Sequence, residues 1–120
     1  MNPYVIPGIV EINTSFSPKT EEDIFKEICN LYRENPNAVM KCNSSRKREY
    51  VEIRQITMTL IILIFKFSYG RSGSFFKKDA ATARHAVATV KNLFDTDKFF
   101  REKTAWYFKG LQWPKVRSYN

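Results

Sequence analysis

Residues Phe76 to Ala86 (FKKDAATARHA) place two cations, a carboxylate and a run of small side chains at what reads as a tight turn opening into a helix. Lys77 and Lys78 carry point charges suited to phosphate oxygens. The Asp79 carboxylate suits a helix N-cap, and the same group can accept a hydrogen bond from an exocyclic amino group such as that of cytosine. Ala80, Ala81 and Thr82 keep the first turn slim, so that nothing bulky bars the helix from a groove. Arg84 and His85 follow on the outward side. His85 is the only histidine. With no second His, no Cys and no carboxylate pair near it, it lacks the company that acid-base or metal chemistry needs, and a phosphate hydrogen bond suits it better.

A second basic cluster precedes this one. Arg46, Lys47 and Arg48 form a run that alone would read as a solvated surface, but Arg54 lies about two helical turns on and Lys77-Lys78 follow later. Together these charges describe a surface for a polyanion.

The elements that position these residues read as helices. Residues 1–19 hold Pro3, Pro7, Gly8 and Pro18 and are expected to form an extended or disordered arm. Thr20 with Asp23 resembles a capping box, and Ile24, Phe25, Ile28, Leu31 and Tyr32 continue at helical spacing, predicting a helix from about Glu21 to Arg33. Asn35-Pro36-Asn37 is expected to stop it, with one short turn over Ala38 to Met40. From about Val51, the residues Ile53, Ile56, Leu60, Leu63, Ile64 and Phe67 form a wide apolar stripe. Helix is favoured there over strand by length and by the interspersed Arg54, Gln55, Thr57 and Thr59.

Gly70 and Gly73 leave room for only a short helix or turn before Phe75 and Phe76. The next helix starts at Asp79, with Ala83, Ala86, Val87, Val90, Leu93 and Phe94 as its core face. Helix, Gly-containing turn and helix with a basic outer face match the helix-turn-helix plan. Asp95-Thr96-Asp97 caps a last helix. In it Phe99, Phe100, Trp106, Tyr107 and Phe108 are expected to close the core before Pro114, and residues 111–120 to form a basic tail.

Composition narrows the function. A chain of 120 residues is long enough for one modest core, which places a single helical domain at residues 20–110. Residues 1–40 carry three Lys/Arg against six Asp/Glu, whereas residues 41–120 carry seventeen against six, so the net charge of +8 belongs to the later two thirds. The apolar run Ile56 to Phe67 is about half the length needed to cross a bilayer, and no secretory signal is visible; no membrane role and a cytoplasmic, nucleoid-associated location are expected. Cys29 and Cys42 form neither a disulfide framework nor a zinc spacing, and no G-x-x-x-x-G-K-[ST] loop is present. No metal, cofactor, nucleotide or enzymatic activity is expected.

The order and spacing of these pieces resemble a family, the C-terminal DNA-binding domain of the bacterial replication initiator DnaA. The resemblance runs from about Glu21 to Arg101 through Arg46-Lys47-Arg48-Glu49-Tyr50-Val51, Arg54-Gln55-Ile56-Thr57-Met58, Ser68 with Gly73 and Phe76, and Lys78-Asp79 leading to Thr82, His85 and Ala86. It implies an all-α fold, a small helical bundle with a Trp-repressor-like helix-turn-helix. It further implies base-reading roles for Asp79 and Thr82, backbone contacts for Lys78 and His85, a minor-groove role for Arg54, and a basic loop of Arg46, Lys47 and Arg48. Ala80 departs from the family's histidine, and a methyl can touch a thymine methyl but offers no hydrogen bond. Arg84 replaces an aliphatic residue and adds a charge. Ser72 and Gly70 imply that the first helix of the motif is short or loosely packed.

The expected function is therefore sequence-specific binding of double-stranded DNA in replication initiation or its control, on a bacterial or phage replicon, without the ability to open DNA. A replication protein is a possible second partner. The alternative is a degenerate initiator-like module whose basic face holds an acidic partner or a replication protein.

Overall fold

The computed structural model describes residues 16–114, and among them every regular element is a helix. α1 spans Glu21–Leu31, α2 Pro36–Lys41, α3 Arg48–Phe65, α4 Tyr69–Ser74, α5 Ala80–Thr96 and α6 Lys98–Phe108. The bundle is thus all-α, as the apolar periodicity predicts. The arm up to Ser15 and the tail from Lys115 lie outside the described residues.

α1 begins where its capping box requires: Thr20 Oγ1 accepts from Asp23 N at 3.1 Å, and Asp23 Oδ2 accepts from Thr20 N at 3.1 Å. It ends two residues earlier than the spacing predicts, because Arg33 turns to φ 57°. Asn35-Pro36-Asn37 lies beyond the end of α1, as expected of a stop, and it also starts α2, which extends the short turn expected over Ala38 to Met40. Asn35 Oδ1 accepts from Asn37 N at 2.8 Å, and Pro36 occupies the first helical position, where its missing N–H costs nothing.

α3 is the central element. Ile53, Ile56, Leu60, Ile61 and Leu63 are buried, and α1, α4 and α5 pack around it. Ile56 to Ile61 is buried at every position, which suits a helix enclosed on several sides better than a two-faced strand. Lys66 ends the helix in the left-handed region at φ 61°. Cys29 lies fully buried on α1, where desolvation, with Glu34 nearby, pushes its thiol up to about 12. No helix of the structure is long and apolar enough to cross a membrane, among the described residues.

α4 and α5 are joined by a short turn over residues 75–79, at the place where the sequence leads one to expect helix, turn and helix. α4 is short, as Gly70 and Ser72 imply, but it is not loosely packed: Ser72 is fully buried and its hydroxyl donates to Met58 O at 2.8 Å. Phe76 inserts from the turn into the core, fully buried against Phe25 and Phe75 at ring separations of 5.4 and 5.0 Å. Burying such a ring contributes about 2 kcal/mol and anchors the segment that carries Lys77, Lys78 and Asp79.

α6 closes the bundle with Phe100, Thr104, Tyr107 and Phe108 inward. Two aromatics expected in the core are outside it: Phe99 is 73% exposed and Trp106 47% exposed. They lie seven residues apart on the outer face of α6, where helical spacing serves an outward stripe as well as an inward one. Phe16 packs there, 5.6 Å from Trp106 and edge-on to Tyr107 at 5.1 Å. Folded structure also continues past residue 110, since Trp113 stacks on Phe108 at 5.0 Å and 18°.

Candidate nucleic-acid interface

α5 starts on a doubly used cap. Asp79 Oδ1 accepts from the backbone N–H of Thr82 and from the Thr82 hydroxyl, each at 2.8 Å. The two bonds hold the carboxyl below the ordinary carboxylate range, the backbone donor contributing most. Both fall on one oxygen, which leaves Oδ2 outside them as an acceptor for an incoming amino group. The Thr82 hydroxyl donates its hydrogen bond to Asp79 and keeps its lone pairs as acceptors, beside the side chain's methyl.

The turn before this cap is closed by backbone bonds. Phe76 N and Lys78 N both donate to Gly73 O, at 3.0 and 2.9 Å, and Lys77 N donates to Ser74 O at 3.0 Å. Lys77 sits in the left-handed region at φ 59° and is exposed, with Lys78 half-buried beside it. On α5, Ala81, Thr82, Arg84 and His85 are exposed and Ala80 is half-buried. Arg84 leans over the Tyr69 ring of α4 at 5.0 Å, and His85 Nε2 lies 3.4 Å from Thr89 Oγ1.

Lys78, Thr82, His85 and Ala86 face Val51, Arg54, Gln55 and Met58 of α3 across a notch of about 190 Å³. The structure therefore brings Lys78, Thr82 and His85 together with Arg54, whereas Arg84 lies over Tyr69 instead, and it turns Arg54 inward. Its side chain is 8% exposed, Nη2 donates to Ser45 O at 2.6 Å, and Nη1 is buried with no partner. Burial shifts the guanidinium down from its usual value. In this placement Arg54 holds the loop that carries Arg46, and the minor-groove role implied by the resemblance requires the side chain to leave Ser45 O.

The basic run divides. Arg46 and Lys47 belong to the loop and Arg48 is the first residue of α3, so the run that reads as a loop or helix entry is both, while the resemblance implied a loop for all three. Arg48 Nε pairs with Glu52 at 3.1 Å, in a cleft shared with Tyr32, Asp97, Phe99 and Lys103. That cleft involves α1 and α6, apart from the α3–α5 notch. Lys47 reaches Glu34 at 3.6 Å and lies over Tyr50 at 5.0 Å. Of the cations singled out in the sequence, Arg46, Lys77, Lys78 and Arg84 lie outside the buried interior and take part in no ion pair among the described residues, which leaves these four for an external anion. Sequence reasoning missed Asn43, whose side-chain amide donates to Phe76 O at 2.9 Å. Only its neighbourhood to the basic run signals it.

Comparison with known proteins fits this geometry. The chain is 36% identical over 99 residues to the chromosomal replication initiator protein DnaA of Bacteroides thetaiotaomicron, a match covering 82% of this chain and 20% of that protein. It is 39% identical over 83 residues to the protein of the same name from Bacteroides fragilis, covering 68% of this chain and 17% of that protein. The chain thus spans about a fifth of the length of these relatives. No family model and no solved structure matches it.

Proposed function

We propose that the chain, similar to the DnaA initiators over the stretch it shares with them, binds double-stranded DNA sequence-specifically in replication initiation or its control. The observation that carries this reading is the start of α5. Two cations in no ion pair among the described residues, Lys77 and Lys78, precede a cap in which Asp79 takes both of its bonds from Thr82 on one carboxylate oxygen. Asp79, Ala80, Ala81 and Thr82 lead into the major groove, with Arg84 and His85 on the flanks of the same helix. Arg46, Lys47, Lys77 and Lys78 contact phosphates, and Arg54 supports the loop from inside. The protein acts by binding, with no reaction of its own, and its place is with the nucleoid.

Selection from a pool of random duplexes tests this reading. Wild type is expected to recover a consensus. About six neutralised phosphates give log K a slope near −5 against log salt. Failure to recover any consensus, or binding indifferent to salt, overturns it. A second reading, a module that holds an acidic protein partner through the same basic surface, is favoured by the inward turn of Arg54 and by the lack of a hydrogen-bonding side chain at Ala80. It predicts salt-sensitive binding of duplexes without a consensus.

A further inference from the structure

We propose that Asn43 is a positioning residue that locks the basic loop to the helix-turn-helix, so that loop and α5 meet a duplex in one register. The inference rests on the DNA-binding reading above. Asn43 and Phe76 are 33 residues apart in sequence, yet the half-buried Asn43 amide donates to the Phe76 carbonyl at 2.9 Å. That carbonyl is itself fixed, because the Phe76 ring is fully buried and the Phe76 N–H is bonded to Gly73 O. Lys77, Lys78 and Asp79 follow directly.

At its other end the loop is tied to α3. Arg54 Nη2 holds Ser45 O at 2.6 Å, while Ser45 Oγ accepts from Lys47 N at 3.1 Å and Ser45 N donates to Cys42 O at 2.9 Å. Arg46 therefore projects from a segment fastened both to the turn and to the central helix. Charges on a loose loop attract a duplex wherever it lies. Charges held at fixed separations from a base-reading helix reward only the placement that satisfies both. Asn43 is neutral and, on this argument, touches no nucleic acid, so its removal takes away register without taking away charge.

The test compares wild type, Asn43→Ala, Asn43→Asp and Arg54→Met. Each binds the duplex recovered from random selection and a scrambled duplex of equal length, over a salt series, after thermal melts establish folding. For Asn43→Ala the preference for the selected duplex is expected to fall about fivefold to tenfold, as one lost hydrogen bond allows. Affinity for the scrambled duplex and the salt slope stay at wild-type values. Asn43→Asp, which sets an acceptor against the Phe76 carbonyl, lowers the preference further. Arg54→Met lowers it with an unchanged slope.

Amide hydrogen exchange at Ser45 and Lys47 in the free protein is expected to quicken in all three variants, an outcome that needs no DNA. Unchanged preference together with unchanged exchange in folded Asn43→Ala overturns the lock. So does a slope reduced in proportion to lost affinity, which would make these residues phosphate contacts. If wild type itself shows no preference while the exchange rates respond, the tether stands but the DNA register fails, and with it the proposed function.

Discussion

A methyl group on Gly73 would lie 2.5 Å from the backbone oxygen of Asp79 and 2.9 Å from that of Lys78, so α4 meets the cap of α5 through a position that only glycine fills. Neither obstacle is the end of a flexible side chain. Relief requires the turn to open and α4 to move away from α5. Gly73→Ala is therefore expected to destabilise the domain by about 2 kcal/mol, within the usual cost of overpacking, and to weaken DNA binding beyond the loss of stability. Gly70, whose added methyl would meet only Ser68 Oγ at 3.9 Å, is the control. Gly70→Ala should stabilise by up to about 1 kcal/mol through helix propensity. Thermal melts of the two variants check the contrast.

Lys77 holds a left-handed backbone that a lysine adopts at a cost of about 1 kcal/mol. Glycine adopts it freely, so Lys77→Gly is expected to leave stability unchanged or raise it, after the larger chain entropy of glycine is counted. If Lys77 contacts a phosphate, the same change reduces the salt slope of binding by about 0.9. Stability and affinity thus move in opposite directions. An affinity and slope equal to wild type would place Lys77 outside the interface.

How much of this arrangement could be read beforehand depended on whether a side chain or a backbone atom carried the signal. Thr20 with Asp23, Asp79 and Asp97 announce their helices because each side chain itself closes the cap. The start of α3 is announced only loosely, as a loop or helix entry over Arg46 to Arg48, because Lys47 makes no side-chain capping bond that would mark the first helical residue. Phe99 and Trp106 escaped for a different reason, since periodicity identifies a face but not which way it points. The inward Arg54 and the tether of Asn43 both end on backbone carbonyls, of Ser45 and Phe76, which no residue pattern reveals.

Thr57 and Thr59 occupy the same buried stretch of α3 and differ in one bond. The Thr59 hydroxyl donates to Gln55 O at 2.8 Å, whereas the Thr57 hydroxyl is buried without a partner. An unsatisfied buried hydroxyl carries its desolvation cost with no return. Thr57→Val keeps the shape and is expected to stabilise the protein by about 1 kcal/mol, while Thr59→Val is expected to destabilise it by about 1 kcal/mol. Urea unfolding with unchanged m-values and opposite shifts in midpoint is the expected result.

Asp79 unites the cap with the proposed base contact, and acid separates them. Its carboxyl is held down by the donors of Thr82, so the cap contributes fully above the unfolded carboxylate range and is lost only as pH falls through the lower folded value. Far-UV circular dichroism from α5 should therefore stay flat from neutral pH through the mildly acidic range and decline only below ordinary carboxylate titration. Asp79→Asn keeps an acceptor for Thr82 and removes this acid transition, whereas Asp79→Ala loses the cap at every pH. On DNA the two variants part again. The asparagine amide donates as well as accepts, so Asp79→Asn should bind with near wild-type salt dependence but select a different base pair at one position. If random-duplex selection returns the wild-type consensus for Asp79→Asn, the carboxylate serves as a cap alone and base reading rests on Thr82 and the residues beside it.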